Sequence, residues 1–288
     1  MSSRASRVTR YHSAVIPSVD WWITSRCNLS CDFCYGPEPG KDPVSLRGEI
    51  LAAIQASSAG AVTFCGGEPL LVREVADYAG HLASAGKRTI LNSNGLLLRK
   101  RFEESADFPF SVVGLSIEGS SDKVHRDMRG AKADLAEVLA AAAFVSTMPD
   151  VSLKVATVVS AVNRDDLGNL AELIRDEIKP TVWRLYQYSS RGAINHGQHR
   201  HRLEDHEFKE LTEKAIELAH PVPVVPSDEN ATAGCLIIDP RGDVLQPVDD
   251  GYQTLGNCLH QPIDDIWSGA SFSDTVQDNK RWLAVLPA

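Results

Sequence analysis

Cys27-Asn28-Leu29-Ser30-Cys31-Asp32-Phe33-Cys34 places three thiols within eight residues. The apolar run Val19-Asp20-Trp21-Trp22-Ile23-Thr24 precedes it, so the loop leaves the carboxyl end of a strand. Three thiolates this close can hold three corners of a soft-metal centre. A structural zinc, or a cluster held wholly by protein, takes four ligands. A three-thiol loop therefore leaves one position for a substrate or cofactor. Zinc ligation, a disulfide or burial as small hydrophobes are the plainer readings of the same triplet.

Working outward, the pattern alternates. Helical spacing covers 45–58 through Leu46, Ile50, Ala53 and Ile54, and a short strand at 61–64 ends in Gly66-Gly67. A helix over 71–85, a strand at 88–92 and a strand at 112–117 come next. An Ala-rich helix at 131–146 and a β-branched strand at 151–160 follow. Leu167, Leu170, Ile174 and Ile178 mark a helix stopped by Pro180. A strand at 181–186 leads to a helix at 205–219, with Asp205 as its expected cap. Six βα units predict an α/β fold, a partial (βα)6 TIM-type barrel with its site at the carboxyl ends of the strands. The pattern changes at Pro221-Val222-Pro223-Val224-Val225-Pro226, read as a stiff extended connector. Beyond it lie a hairpin signal around Pro240-Arg241-Gly242 and a short helix from Pro262. The expected organisation is a flexible tail over 1–18, the barrel over 19–220 and a small α+β extension over 221–288.

Composition narrows the function. The 288 residues are 43% hydrophobic and 23% charged, ordinary for a globular enzyme. A net charge of −9 argues against binding nucleic acid through phosphate contacts. Met1 to Arg10 lacks the apolar core of a secretory signal, and no run has the length of a membrane span. Six cysteines do not make a disulfide scaffold.

The thiol loop resembles the signature of the radical S-adenosylmethionine (radical SAM) superfamily, in which an aromatic residue, here Phe33, precedes the third cysteine. That resemblance implies that Cys27, Cys31 and Cys34 hold one [4Fe-4S] cluster whose fourth iron is chelated by SAM. Gly66-Gly67-Glu68-Pro69 matches the family's glycine-rich motif, which implies a role for Glu68 and the Gly67 backbone at the SAM amino group. Asn94, in Asn92-Ser93-Asn94-Gly95, takes a place near the SAM ribose or methionine moiety. Ser116 and Arg129 fit the family's fourth-strand pattern, the arginine toward the SAM carboxylate. Glu118 stands where aspartate is more usual. His125 and Arg126 read equally well as solvated loop residues. The resemblance further implies a cytoplasmic enzyme, an external one-electron donor such as flavodoxin or ferredoxin, and a small-molecule substrate. It leaves the catalytic residues unknown.

The second half carries two weaker resemblances. One is to viperin and its microbial relatives, through Lys154, Arg184 and Tyr186 as substrate-contacting residues. Val182, Ala156 and Cys235 depart from that pattern, and strand-end charges reaching solvent are the plainer reading of Lys154 and Arg184. The other is to a SPASM or twitch extension, through Cys235, Gly242-Asp243-Val244, Cys258 and Trp267. Two thiolates are too few for an ordinary second cluster, and Cys65 reads as a small buried residue. His196, His199, His201 and His206 read as a solvated loop and helix start rather than a second metal site. Two alternatives stay open: a peptide maturase working with a separate leader-binding partner, and a non-catalytic iron–sulfur or zinc scaffold.

Overall fold

Val19, Trp21 and Ile23 share one side of the first strand, β1 (Ser18–Thr24), and join the main hydrophobic core; Asp20, Trp22 and Thr24 take the other side. Every following strand repeats this division, and it positions the site. The computed structural model describes residues 16–40, 42–103, 107–228, 236–248, 251–270 and 281–286. The strands after β1 are β2 (Ala61–Gly66), β3 (Arg88–Ser93), β4 (Val112–Ser116), β5 (Ser152–Val159) and β6 (Val182–Gln187). They continue as β7 (Val224–Ser227), β8 (Leu236–Ile238), β9 (Asp243–Val248) and β10 (Gly251–Asn257). All ten lie in one sheet of order β10-β9-β8-β1-β2-β3-β4-β5-β6-β7. From β8 through β7 every pairing is parallel, and β9 and β10 add as antiparallel strands. The order is linear, so this is the expected partial barrel, open between β7 and β10.

The helices are α1 (Arg47–Ala56), α2 (Val75–Ser84), α3 (Leu98–Phe102), α4 (Asp122–Arg129) and α5 (Leu135–Ser146). They continue as α6 (Leu167–Leu173), α7 (Asp205–Ala219), α8 (Ile263–Gly269) and α9 (Arg281–Val285). Their apolar faces meet Phe64, Leu91, Val113, Val155 and Trp183 on the outside of the sheet.

Four sequence expectations change. The proline-rich connector contains a strand, β7, paired with β6 from Trp183–Val224 to Tyr186–Ser227. Pro226 is tolerated because β7 is an edge. Residues 122–129 are a helix, not a loop, capped by the Ser121 side chain at the Val124 N–H. The cap of α7 is Glu204, in a reciprocal capping box with Glu207, and Asp205 is its first helical residue. β1 opens at Ser18, inside the expected tail, after a fully buried Ile16. Residues 1–15 and Cys235 lie outside the described residues.

Candidate active site

The thiol loop leaves the carboxyl end of β1, and the backbone there is held from two directions. The Thr24 hydroxyl donates to Asp42 at 2.6 Å. Buried Arg47 bridges Asp42 at 3.0 and 3.1 Å and the Ile23 carbonyl at 3.1 Å. From the other side, the Gly67 and Glu68 N–H groups donate to the Thr24 and Arg26 carbonyls, both at 2.8 Å. The close approach that Gly66 and Gly67 allow is thus to the chain entering the loop: a Cβ on Gly66 would stand 2.7 Å from the Thr24 oxygen, and one on Gly67 would overlap Arg26.

Cys27 is exposed, and Cys31 and Cys34 are half-buried. Backbone N–H groups of Leu29 and Gly36 donate to the Cys27 and Cys34 sulfurs, each at 3.4 Å. The Cys31 thiol faces the Arg129 carbonyl at 3.5 Å. Burial raises all three thiols, Cys31 to about 12, while Arg129 pulls them down. Within the described residues no three Cys, His, Asp or Glu side chains already converge on a metal position. The donor set still fits a soft iron centre: Cys34 lies close enough to raise both Cys27 and Cys31, two backbone N–H groups donate to sulfur, and a guanidinium stands beside them. Cys65 and Cys258 are buried and take no part in the loop.

Glu68 is buried at the end of β2. Its carboxylate accepts from the Leu70 N–H at 3.0 Å, the Ser93 hydroxyl at 2.9 Å and the Asn94 N–H at 2.9 Å. Burial lifts this carboxyl above its usual range, and those donors draw it back. Pro69 opens the following turn and is buried with Leu70. The Asn94 side chain then donates to Asn28 Oδ1 at 2.7 Å, so the ends of β2 and β3 and the thiol loop form one hydrogen-bonded chain.

Across the mouth, Arg129 ends α4. Its Nε and Nη2 donate to one oxygen of buried Glu118 at 3.1 and 3.0 Å, and its guanidinium lies 5.7 Å from the Phe33 ring centroid. The other Glu118 oxygen accepts the Val158 N–H at 2.7 Å. His125, expected as a loop residue, is buried with Nδ1 facing the Glu118 N–H at 3.2 Å. Burial pushes its pKa down to about 3. Ser116 ends β4, in register with Ala156.

Below the mouth, Asn92, Gly114 and Lys154 form one row across β3, β4 and β5. Lys154 and Arg184 are 2% and 0% exposed, which overturns the reading of both as charges reaching solvent. The Lys154 ammonium lies 4.6 Å from the Trp282 ring centroid and the Arg184 guanidinium 4.9 Å from that of Tyr186. Arg184 also donates to Ser227 on β7. Burial lowers the lysine pKa, with Arg184 adding to the effect. Burial would raise the Tyr186 phenol, but the two cations outweigh it and leave it below its ordinary value. Asn92 Oδ1 is buried with no hydrogen-bond partner among the described residues. Ala61, Ile90, Val112 and Val182 close the floor with Trp282 and Leu286.

Sequence reasoning missed one group. His201 and Asn195 are both 0% exposed and bond into the thiol loop. The only local signal was the cluster of histidines, which gave no partner.

The family model of the Radical SAM superfamily matches residues 22–174. The pre-heme d1 synthase of Dinoroseobacter shibae is 24% identical over 302 residues, spanning 88% of this chain and 73% of that enzyme. An S-adenosylmethionine-dependent nucleotide dehydratase of Selenomonas ruminantium is 23% identical over 272 residues, 90% of this chain and 96% of that enzyme. In fold, Streptococcus suis SuiB bound to S-adenosylmethionine matches with a TM-score of 0.68 at 14% identity, over 93% of this chain and 68% of that chain.

Proposed function

Because the chain belongs to the radical SAM superfamily of enzymes, we propose that it cleaves SAM reductively and takes a hydrogen atom from a small anionic metabolite held in the sheet interior. Cys27, Cys31 and Cys34 would hold one [4Fe-4S] cluster, and with SAM bound beside it that cluster would supply the one-electron reduction that cleaves SAM to methionine and a 5′-deoxyadenosyl radical. An external one-electron donor, such as flavodoxin or ferredoxin, would supply that electron.

The protein's part is to bind, orient and shield. Glu68 and the backbone of Gly66 and Gly67 receive the SAM amino group, with Pro69 fixing the turn. Asn94 and Ser116 line its sugar side, Arg129 meets its carboxylate, and Phe33 walls the cluster. The observation that carries the substrate class is Lys154: a buried ammonium set against an aromatic face, with the Arg184 guanidinium close enough to push its pKa down further. A carboxylate or phosphate placed there offsets the cost of burying that charge. The surrounding apolar floor keeps water from the reacting carbon.

The test is anaerobic reconstitution, then reduction with dithionite in the presence of SAM and chromatography for 5′-deoxyadenosine, with Cys31→Ala alongside. Product in the wild type alone supports the reading. Bound zinc without iron after anaerobic purification overturns it. Lys154→Met is expected to retain slow uncoupled SAM cleavage while losing the stimulation given by an anionic substrate.

A further inference from the structure

We propose that the connection between β6 and α7 clamps the thiol loop, with Asn195 and His201 as its positioning residues. The two side chains sit in one polar-looking surface segment, yet both are fully buried. Asn195 spends its amide completely. Its Nδ2 donates to the Phe33 carbonyl and the Ser189 carbonyl, each at 2.8 Å, and its Oδ1 accepts the Gly192 N–H at 2.7 Å. Phe33 lies between the second and third thiols, so this bond fixes the peptide joining them.

His201 grips the same stretch one residue earlier. Its Nε2 meets Asp32 Oδ1 at 2.8 Å, and its Nδ1 lies 3.3 Å from the Ser160 hydroxyl at the end of β5. Its ring packs on Phe33 and Tyr188 at centroid distances of 5.7 and 5.3 Å. Arg200 adds a bond to Asp32 Oδ2 at 3.1 Å and to the Asp127 carbonyl at 3.1 Å. Gly192 lets the segment lie directly on the loop: a Cβ there would stand 2.8 Å from the Cys34 carbonyl oxygen and overlap Tyr35. Buried polar groups whose partners are fixed on both sides, here the thiol loop on one and the segment itself and β5 on the other, specify a single arrangement of what they join. Here they hold the spacing of Cys31 and Cys34.

The clamp is a property of the polypeptide. Its effect on a cluster rests on the reading of the preceding section, and two measurements separate them. The first is hydrogen–deuterium exchange of the metal-free chain, comparing the wild type with Asn195→Ala, His201→Leu, the conservative His201→Gln and the exposed-site control His199→Ala. Asn195→Ala and His201→Leu are expected to speed exchange of residues 28–36 on the order of fivefold or more, with α5 unchanged. His201→Gln restores most of the protection, and the control matches the wild type. Exchange of 28–36 within about twofold of the wild type in both variants overturns the proposal, and so does an equal gain in α5, which marks general loosening. The second is the rate of iron loss to a chelator from reconstituted protein, expected to rise in the same order across the variants. A wild type that takes up no iron refutes the cluster and leaves the exchange result standing. Equal iron loss in all variants overturns the clamp's bearing on the cluster.

Discussion

Arg129 closes on Glu118 through two hydrogen bonds to a single carboxylate oxygen, at 3.1 and 3.0 Å, with the glutamate side chain 1% exposed and the arginine 12%. The pair joins the end of α4 to the end of β4, and the second Glu118 oxygen ties both to β5. It therefore holds the guanidinium at the mouth before any ligand arrives.

Removing one member of such a pair leaves a charge without its partner. Glu118→Leu is expected to lower stability by about 3–5 kcal/mol. Glu118→Gln keeps an acceptor for the Val158 N–H and loses less. Urea denaturation of the metal-free protein measures both; an equal loss in the two variants would place the energy in the charge that both remove, and none of it in the Val158 hydrogen bond that glutamine keeps.

His125 sets a pH dependence. Its pKa falls from 6.5 to about 3 on folding, chiefly through burial. Between those values the unfolded chain binds a proton that the folded chain refuses. This contribution to stability is complete above pH 6.5 and declines as the pH drops through the window, by up to about 1.4 kcal/mol per unit. Thermal melts of the wild type and His125→Leu are expected to draw together between pH 7 and pH 4. A constant gap over that range refutes the assignment.

Gly114→Ala addresses the interior. The added methyl would meet the Lys154 side chain at 2.5 Å and overlap Asn92 Oδ1. The expected cost is about 1–3 kcal/mol from overpacking. The displaced ammonium is expected to weaken anionic-ligand binding beyond any loss of stability, as read by calorimetry beside a melt. Unchanged affinity in a destabilised variant would remove Lys154 from the binding surface.

Much of this arrangement was legible because it is written locally. The three thiols, Gly66-Gly67-Glu68-Pro69 and the alternation of apolar runs are short patterns whose chemistry or periodicity carries over directly. α4 was not legible: Asp122–Arg129 offers only Val124 and Met128 as an apolar stripe, too thin to separate from a loop. β7 was hidden by Pro226 and by the prolines just before it; an edge strand tolerates the first, and an isolated sequence does not show that the strand is an edge. Burial of Lys154 and Arg184 depends on which face of a two-sided sheet is enclosed, and strand periodicity alone assigns no side. The Asn195 bond to Phe33 crosses 162 residues of sequence, so no window around either residue contains it.

One consequence follows from the place of β8. Val19, Asp20 and Trp21 of the first strand pair with Leu236, Ile237 and Ile238 near the far end of the chain. During synthesis, β1 leaves the ribosome long before that neighbour exists. Until then the strand that feeds the thiol loop presents a row of unmatched amides and carbonyls beside tryptophan and isoleucine. Such non-local pairing forms late and slowly, and the waiting edge can capture a second nascent copy. A fragment ending after β6 keeps that edge permanently bare and is expected to self-associate more than the whole chain.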